Sequence, residues 1–146
     1  MSGRARRAVH TVLVVCLVGL LGLQACARQR PASGITHTPL GVAQKTFPEE
    51  LSAVQRGVQT TLGALGMPVR EVRSLEEGGR LVRSEIVASA RDRRVVVTIE
   101  RLTDAATRVN VDVQQFLLKD KATATAVLAE IDDAVDLGIR ALDRAG

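Results

Sequence analysis

Apolar residues follow three different patterns along this 146-residue chain. Residues 12–23 form an uncharged block that is apolar apart from its glycines. Residues 81–114 alternate between apolar and polar positions, which predicts a series of β-hairpins. Residues 48–65 and 121–143 repeat apolar positions at steps of three and four, which predicts two amphipathic helices.

The alternating region is expected to form an antiparallel meander. Clear strands are predicted at residues 81–90, 95–100 and 108–114, with a weaker strand at residues 69–75. One face of the clear strands is apolar and consists of Val82, Ile86, Ala88, Ala90, Val95, Val97, Ile99, Val109, Val111 and Val113. Such a face must be covered, whereas the opposite, polar face can meet water.

Local signals predict where the two helices begin. The first is expected to have Pro48 in its first turn and Glu49 in a capping box. Its cap is predicted to be Thr46 or Phe47. The second helix is expected to begin after Asp120, whose carboxylate can accept hydrogen bonds from the first turn.

Each helix carries one apolar stripe. The stripe of the first helix consists of Leu51, Val54, Val58, Leu62 and Leu65. The stripe of the second consists of Ala124, Val127, Leu128, Ile131, Val135, Ile139 and Leu142. With a short strand at residues 42–47 in front, we expect a two-layer α+β domain of the order β-α-β-β-β-β-α. Its antiparallel meander of four to five strands has both helices on one face.

The apolar block near the start predicts an export signal. Arg4, Arg6 and Arg7 precede the block without any acid between them. A transmembrane helix needs about 18 or more apolar residues to cross the hydrocarbon layer, and this block is shorter. A basic start, a short apolar stretch and small residues before a cut site are the parts of a secretory signal peptide. An uncleaved N-terminal anchor is the alternative.

The residues directly after this block carry a more specific signal. The sequence Leu23-Gln24-Ala25-Cys26 resembles the lipobox of bacterial lipoproteins, in which a leucine, a variable residue and a small residue precede the cysteine. The resemblance implies that the signal peptide is removed before Cys26 and that the Cys26 sulfur carries a diacylglyceryl group. In many such proteins the new amino group also carries an acyl chain such as palmitate.

A lipidated cysteine would divide the chain into three parts. Residues 1–25 are the lipoprotein signal peptide, residues 26–44 a lipid-anchored flexible linker, and residues 45–143 the single α+β domain. The implied location is the cell envelope, with the membrane-anchored domain facing the periplasm. Ala27 stands where an aspartate would favour the inner membrane, so the outer membrane is favoured if the cell is Gram-negative.

The domain itself is similar to a family of small bacterial lipoproteins with a domain of unknown function, number 3568. The similar segments read TFP (46–48), LGALGMPV (62–69), GGRLVRSEI (78–86), VVVTIERL (95–102) and TRVNVDV (107–113). The resemblance covers roughly residues 45–135 and departs after Val113, where residues 114–120 replace a Gly-rich turn. It implies the same fold and envelope location, and it supplies no site residues.

Charge and composition narrow the functional classes. Without residues 1–25 the formal charge falls from +4 to +1, and the chain has no Trp and no Tyr. Nucleic-acid binding favours a sustained basic surface with aromatic stacking, so no nucleic-acid partner is expected.

The arginines between residues 70 and 108 are mostly expected to pair with glutamates across strands. The sharper hypothesis is that Arg91, Arg93 and Arg94, in a tight turn, contact anionic lipid headgroups or an acidic partner.

Catalytic and metal chemistry have few candidates. Cys16 leaves with the signal peptide, the lipid occupies Cys26, and His37 is the only remaining histidine. We therefore expect no catalytic residue, no metal and no cofactor beyond the covalent lipid. A carboxylate pair or cation site is the alternative, with candidates Asp132, Asp133 and Asp136 on the last helix and Glu85, Glu100 and Asp112 on the sheet.

The expected function is that of a non-catalytic envelope lipoprotein. It reaches the membrane through its lipid anchor, and its domain is expected to bind an unknown envelope protein or to support an assembly. The alternative is a carrier that holds a small apolar ligand or lipid in a cavity between the helices and the sheet.

Overall fold

A seven-stranded antiparallel sheet forms one layer of the fold. The structure, a computed structural model, describes residues 34–143. The strands are β1 (Thr36–His37), β2 (Ala43–Phe47), β3 (Val69–Glu77), β4 (Arg80–Ala90), β5 (Arg93–Thr103), β6 (Ala106–Gln115) and β7 (Leu118–Lys119). Their order across the sheet is β1-β2-β6-β5-β4-β3, and β7 pairs with β6. The helices α1 (Leu51–Ala64) and α2 (Lys121–Asp143) form the second layer.

This architecture confirms the predicted two-layer α+β fold with both helices on one face. The hairpins β3–β4, β4–β5 and β5–β6 follow one another, as the alternation predicts. Strands β1 and β7 were not predicted, because two residues are too few to show a periodic pattern. In β1, Thr36 pairs with Gln44, so regular structure begins inside the segment predicted to be linker.

The core lies between the sheet and the two helices. From the central strands it takes Val95, Val97, Ile99, Val109, Val111 and Val113, and from the helices Leu51, Val54, Val58, Leu62, Ala124, Val127, Leu128, Ile131 and Val135. Leu65 is the exception to the predicted stripes. It is 40% exposed because α1 ends at Ala64 and Leu65 follows as the C-cap. Ile139 and Leu142 belong to the described helix α2, but their side chains are not among those that the structure describes.

Helices α1 and α2 approach each other closely at a glycine. A Cβ atom added to Gly57 would lie 2.7 Å from Cγ2 of Val135 and 3.7 Å from its Cα. The distance between packed helices depends on the side chains at their contact. The missing side chain of Gly57 therefore permits this close approach.

The start of α1 differs from the predicted capping box. The helix begins at Leu51 with Glu50 at the N-cap, and no side-chain hydrogen bond caps it. Phe47 is instead the buried last residue of β2. The Thr107 hydroxyl donates a hydrogen bond to the Glu49 carbonyl oxygen at 2.8 Å, which holds the connection between strand and helix against β6. The capping prediction is wrong because these tertiary contacts outweigh the local signal.

The predicted cap of α2 is confirmed. The backbone N–H of Thr123 donates to Asp120 Oδ1 at 2.9 Å, and the Thr123 hydroxyl donates to Asp120 Oδ2 at 2.7 Å. These hydrogen bonds, the backbone one above all, hold the pKa of Asp120 below its ordinary value. The charged carboxylate also lies at the positive end of the helix dipole, where it is stabilising.

Strand β3 forms one edge of the sheet. All nine of its residues are exposed, and it pairs with β4 on one side. Its charged side chains are Arg70, Glu71, Arg73, Glu76 and Glu77. Charges on an edge strand oppose uncontrolled pairing with the edges of other chains.

Candidate functional site

The predicted lipid attachment site precedes the described part of the chain. Leu23, Gln24, Ala25 and Cys26 all lie outside residues 34–143, so their role stays a prediction. Of the helices in the described range, none combines the length and the apolar character needed to cross a membrane.

The three arginines predicted to contact an anionic surface lie partly in a turn and partly in a strand. Arg91 lies in the short turn between β4 and β5, with a left-handed backbone φ of +55°. Arg93 and Arg94 are neighbours in β5, so their side chains point to opposite faces of the sheet. Arg91 and Arg94 are exposed, whereas Arg93 is partly buried on the helix side. The contact of these arginines with an anionic surface stays a prediction, with Arg93 on a different face of β5 from Arg94.

Arg93 has a structural partner in the cap of α2. Its Nε atom lies 3.0 Å from Asp120 Oδ2, an ion-pair contact without the alignment of a hydrogen bond. The charge of Arg93 adds to the hydrogen bonds from Thr123 that lower the pKa of Asp120. Arg93 thus ties β5 to α2, and Arg91 and Arg94 remain as the exposed candidates.

Two of the predicted Arg–Glu pairs between neighbouring strands form on the face that points away from the helices, whereas Arg80, Arg93 and Arg101 contact aspartates. Arg73 on β3 lies opposite Glu85 on β4, with Nη1 and Oε1 3.5 Å apart. Arg83 on β4 lies opposite Glu100 on β5, with Nη1 and Oε1 3.7 Å apart. A shallow depression of about 180 Å³ lies beside these pairs, with Leu75 among its lining residues. Exposed pairs of this kind contribute little to stability.

Asp112, the third of the sheet acids predicted as alternative site residues, also forms an ion pair. Asp112 on β6 forms an ion pair with Lys119 of β7 and accepts a hydrogen bond from Gln114 Nε2 at 3.2 Å. With Glu85 and Glu100 in ion pairs, the three sheet acids predicted as alternative site residues each contact a basic side chain.

The predicted acids of α2 fall into different surroundings. Asp132 forms an ion pair with Lys45 of β2, with Oδ2 and Nζ 2.5 Å apart and both side chains mostly buried. Asp133 and Asp136 are both exposed, but the charge of Asp136 raises the pKa of Glu49, and Asp136 also lies 3.8 Å from Arg140. No group of three or more side chains that could ligate a metal converges within residues 34–143.

Glu49 belongs to this group of charges, although the sequence predicted only a helix-capping role for it. It lies in the connection between β2 and α1, and its buried Oε2 atom has no hydrogen-bond partner among the described residues. Burial raises the pKa of Glu49, and the charges of Asp136 and Asp132 raise it further, while Lys45 opposes the shift. Asp132 and Asp136 come from a distant part of the chain, so no local pattern could reveal their effect on Glu49.

Replacing Glu49 with glutamine is expected to stabilise the protein at neutral pH. Because the pKa of Glu49 is raised in the folded state, the folded protein retains a proton where the unfolded carboxyl has released it. The cost of ionising Glu49 is therefore absent below the ordinary pKa of about 4.3 and develops as pH rises through the raised, folded value. Thermal unfolding should give a higher Tm for Glu49→Gln at neutral pH and no gain in acid.

Glu130→Gln is the matched control, because Glu130 is an exposed acid on α2. It should change the Tm little at either pH. An unchanged Tm of Glu49→Gln at neutral pH would contradict the unfavourable burial of this carboxylate.

Four exposed apolar residues lie at one end of the sheet, and the sequence pattern did not predict them as a site. Phe116, Leu117 and Leu118, at the junction of β6 and β7, are 83%, 99% and 76% exposed. Leu40, in the turn between β1 and β2, is 76% exposed. We call these four residues the apolar tip. Clustered apolar side chains in solvent mark interaction surfaces, whereas single scattered ones do not.

His37 contacts the helix layer. Its Nε2 atom lies 2.9 Å from Thr125 Oγ1 on α2, and the pair is hydrogen-bonded. The contact joins β1 to α2 across a long separation in sequence. The histidine therefore has a structural partner in the described part of the chain.

The carrier alternative requires space between the helices and the sheet. In the described residues this layer holds one apolar cluster whose members are at most 5% exposed. The depression beside Arg73 and Arg83 lies on the other face of the sheet. Neither observation favours a carrier.

Comparisons with known proteins assign this chain to no family. No family model and no curated protein matches it. Among solved structures it is similar to the di-domain ARO/CYC StfQ from the steffimycin biosynthetic pathway, with 18% identity and a TM-score of 0.41. That similarity covers 71% of this chain and 46% of the other, so the chain spans less than half of that protein. A likeness this distant carries no functional argument, and the resemblance to envelope lipoproteins stays a prediction.

Proposed function

We propose that this chain is a non-catalytic cell-envelope lipoprotein whose domain binds an envelope partner while an acylated Cys26 holds it at the membrane. The observation that carries the proposal is the place of Leu23-Gln24-Ala25-Cys26. The motif comes directly after a short, uncharged apolar block that follows a basic start. Two or three acyl chains anchor a protein stably, whereas one chain alone binds a membrane only marginally.

The non-catalytic part of the proposal is supported by the contacts of the reactive groups. His37, the single histidine that remains after export, is hydrogen-bonded to Thr125. Among the acids, Asp112 and Asp132 contact lysines. These groups are engaged in holding strands and helices together.

The exposed edge of β3 supports a binding role. An edge strand offers a row of backbone N–H and C=O groups to which a partner can add a strand. On β3, the large apolar side chains Val69, Val72 and Leu75 are exposed between charged neighbours. A partner strand could thus recognise side chains as well as backbone.

Substitution of Cys26 tests the proposal in the full chain. In a bacterial host grown with a clickable fatty acid, the wild-type protein should incorporate the label and enter the detergent phase on phase separation. Its intact mass should correspond to a chain that begins at Cys26 and carries diacylglycerol. Cys26→Ser should abolish both the label and the cleavage, because the serine hydroxyl does not replace the thiol in this modification.

Cys16→Ser is the matched control, because Cys16 is the other cysteine of the chain and lies within the apolar block. It should keep full labelling and normal cleavage. Labelling of Cys26→Ser at the wild-type level, or a mature N-terminus at another residue, would refute the lipoprotein assignment.

A further inference from the structure

Three loops meet at the end of the sheet that carries the apolar tip. The register pairs Gln115 at the end of β6 with Arg93 on β5 and with Leu118 on β7. The Gln115 side chain donates a hydrogen bond to Asp92 in the β4–β5 turn at 2.6 Å. A Cβ atom added to Gly41, beside Leu40, would lie 3.6 Å from the Cβ of Lys119. The β1–β2, β4–β5 and β6–β7 loops therefore form one continuous surface.

Basic side chains surround this surface. Arg91, Arg94 and Lys121 are exposed at the same end of the sheet, and we call them the basic collar. Asp120 lies 3.0 Å from Arg93, which offsets its charge. The hydrogen bond from Gln115 holds the pKa of Asp92 below its ordinary value, so Asp92 stays ionised at this end. The three cations of the basic collar outnumber this carboxylate, so the surface offers a net positive charge around an apolar centre.

The backbone at the tip also favours an outward-facing role. Phe116 has a φ of +55°, in the left-handed region that bulky residues rarely adopt. A polar residue such as asparagine would adopt this conformation more readily, and it would cost nothing in solvent. Backbone outliers of this kind are a starting point for a functional hypothesis.

We propose that the apolar tip inserts into the headgroup region of a lipid bilayer, while the basic collar contacts anionic headgroups. The inference rests on the lipidation of Cys26 proposed above. Only thirteen residues separate Cys26 from Leu40, so an anchored chain keeps the tip within a short reach of the bilayer. The anchor raises the local concentration of membrane, and a tip that binds weakly by itself then becomes effective. Insertion fixes the orientation of the domain. Strand β7, which carries Leu118 of the tip, pairs with β6, and strands β5 and β4 lie between β6 and the edge strand β3.

A fluorescent probe at the tip tests this inference in the mature lipoprotein. The lipid blocks the sulfur of Cys26 and Cys16 leaves with the signal peptide, so Leu117→Cys introduces a single reactive thiol. Labelled with NBD and reconstituted in vesicles of phosphatidylcholine and phosphatidylglycerol, this site should show a blue-shifted emission and quenching by brominated lipid. Glu77→Cys is the control, because Glu77 lies at the end of the sheet opposite the tip. A probe at this position should show the emission of NBD in water and no quenching by brominated lipid.

Two sets of variants separate the apolar and the charged contributions. Phe116→Ser combined with Leu118→Ser should abolish the blue shift of the probe. Arg91→Glu combined with Arg94→Glu should remove the difference between vesicles with and without phosphatidylglycerol. Arg93 is left unchanged, because it contacts the cap of α2.

The outcomes distinguish this inference from the proposed function. Intact mass first establishes whether Cys26 carries the lipid; if it does not, the lipoprotein assignment fails before any vesicle is used. If the lipid is present and the tip probe still reports water in both kinds of vesicle, the membrane insertion is wrong and the lipoprotein assignment stands. If the probe is shielded only in native membranes, the tip binds a protein, and the insertion of the tip into lipid is likewise overturned.

Discussion

Replacing Gly57 with leucine is expected to lower the free energy of unfolding by about 3 kcal/mol, as insertion of atoms into a close-packed contact does. The loss occurs although leucine forms helices better than glycine by up to about 1 kcal/mol. Even a Cβ atom at Gly57 would lie 2.7 Å from Cγ2 of Val135. Valine is β-branched and has little rotamer freedom in a helix, so α1 and α2 must move apart. Their separation exposes the apolar stripes that both helices bury.

Gly63 provides a matched control in the same helix. Apart from its neighbours in the chain and the backbone of its own helix, no atom lies within 4 Å of a Cβ added there, so Gly63→Leu should be neutral or stabilise the protein by up to about 1 kcal/mol. The chain has no Trp and no Tyr, so denaturant unfolding is best followed by far-UV circular dichroism. Equal effects at the two glycines would contradict the close contact between the helices.

A double-mutant cycle makes the test specific to one atom pair. Gly57→Ala should destabilise the protein by about 1 kcal/mol, the difference between overpacking and the gain in helix propensity. Val135→Ala removes Cγ2, the atom that a Cβ at Gly57 would meet. The double variant should therefore be more stable than the sum of the single changes predicts, which is the sign of direct coupling.

The faces of the central strands could be predicted because a strand repeats every two residues. Val95, Val97 and Ile99 in β5 are buried as their spacing requires. The same rule separates Arg93 from Arg94, which neighbour each other in β5 and therefore face opposite sides. The prediction from the sequence grouped them by their place near the turn, because no local signal showed that β5 begins at Arg93.

The Glu49 environment and the apolar tip depend on tertiary structure, and no local pattern specifies them. Glu49 meets Asp132 and Asp136 only because α2 packs beside the end of β2. The start of α1 was mispredicted for a related reason, since Phe47 is held in β2 and in the core. Apolar composition likewise does not reveal that Phe116 is in solvent, because its exposure follows from the turn after β6.

The two phenylalanines of the chain are expected to respond differently to the same substitution. Phe47 is 2% exposed and is among the largest side chains of the core, so Phe47→Ala should cost about 3–5 kcal/mol. That is a large part of the roughly 5–15 kcal/mol by which a domain is usually stable. The change also removes the ring whose centroid lies 5.5 Å from Lys45 Nζ, beside the ion pair with Asp132.

Phe116→Ala is the matched control, since it makes the same chemical change at an exposed ring. Little change in denaturant unfolding is expected there, because the ring has few contacts to lose in solution. In the lipidated protein, however, the same variant should weaken the insertion of the tip into anionic vesicles. A loss of stability in Phe116→Ala as large as in Phe47→Ala would mean that the ring is packed in solution. The apolar tip would then not be free to enter a bilayer, so this pair of variants tests the core and the proposed membrane contact together.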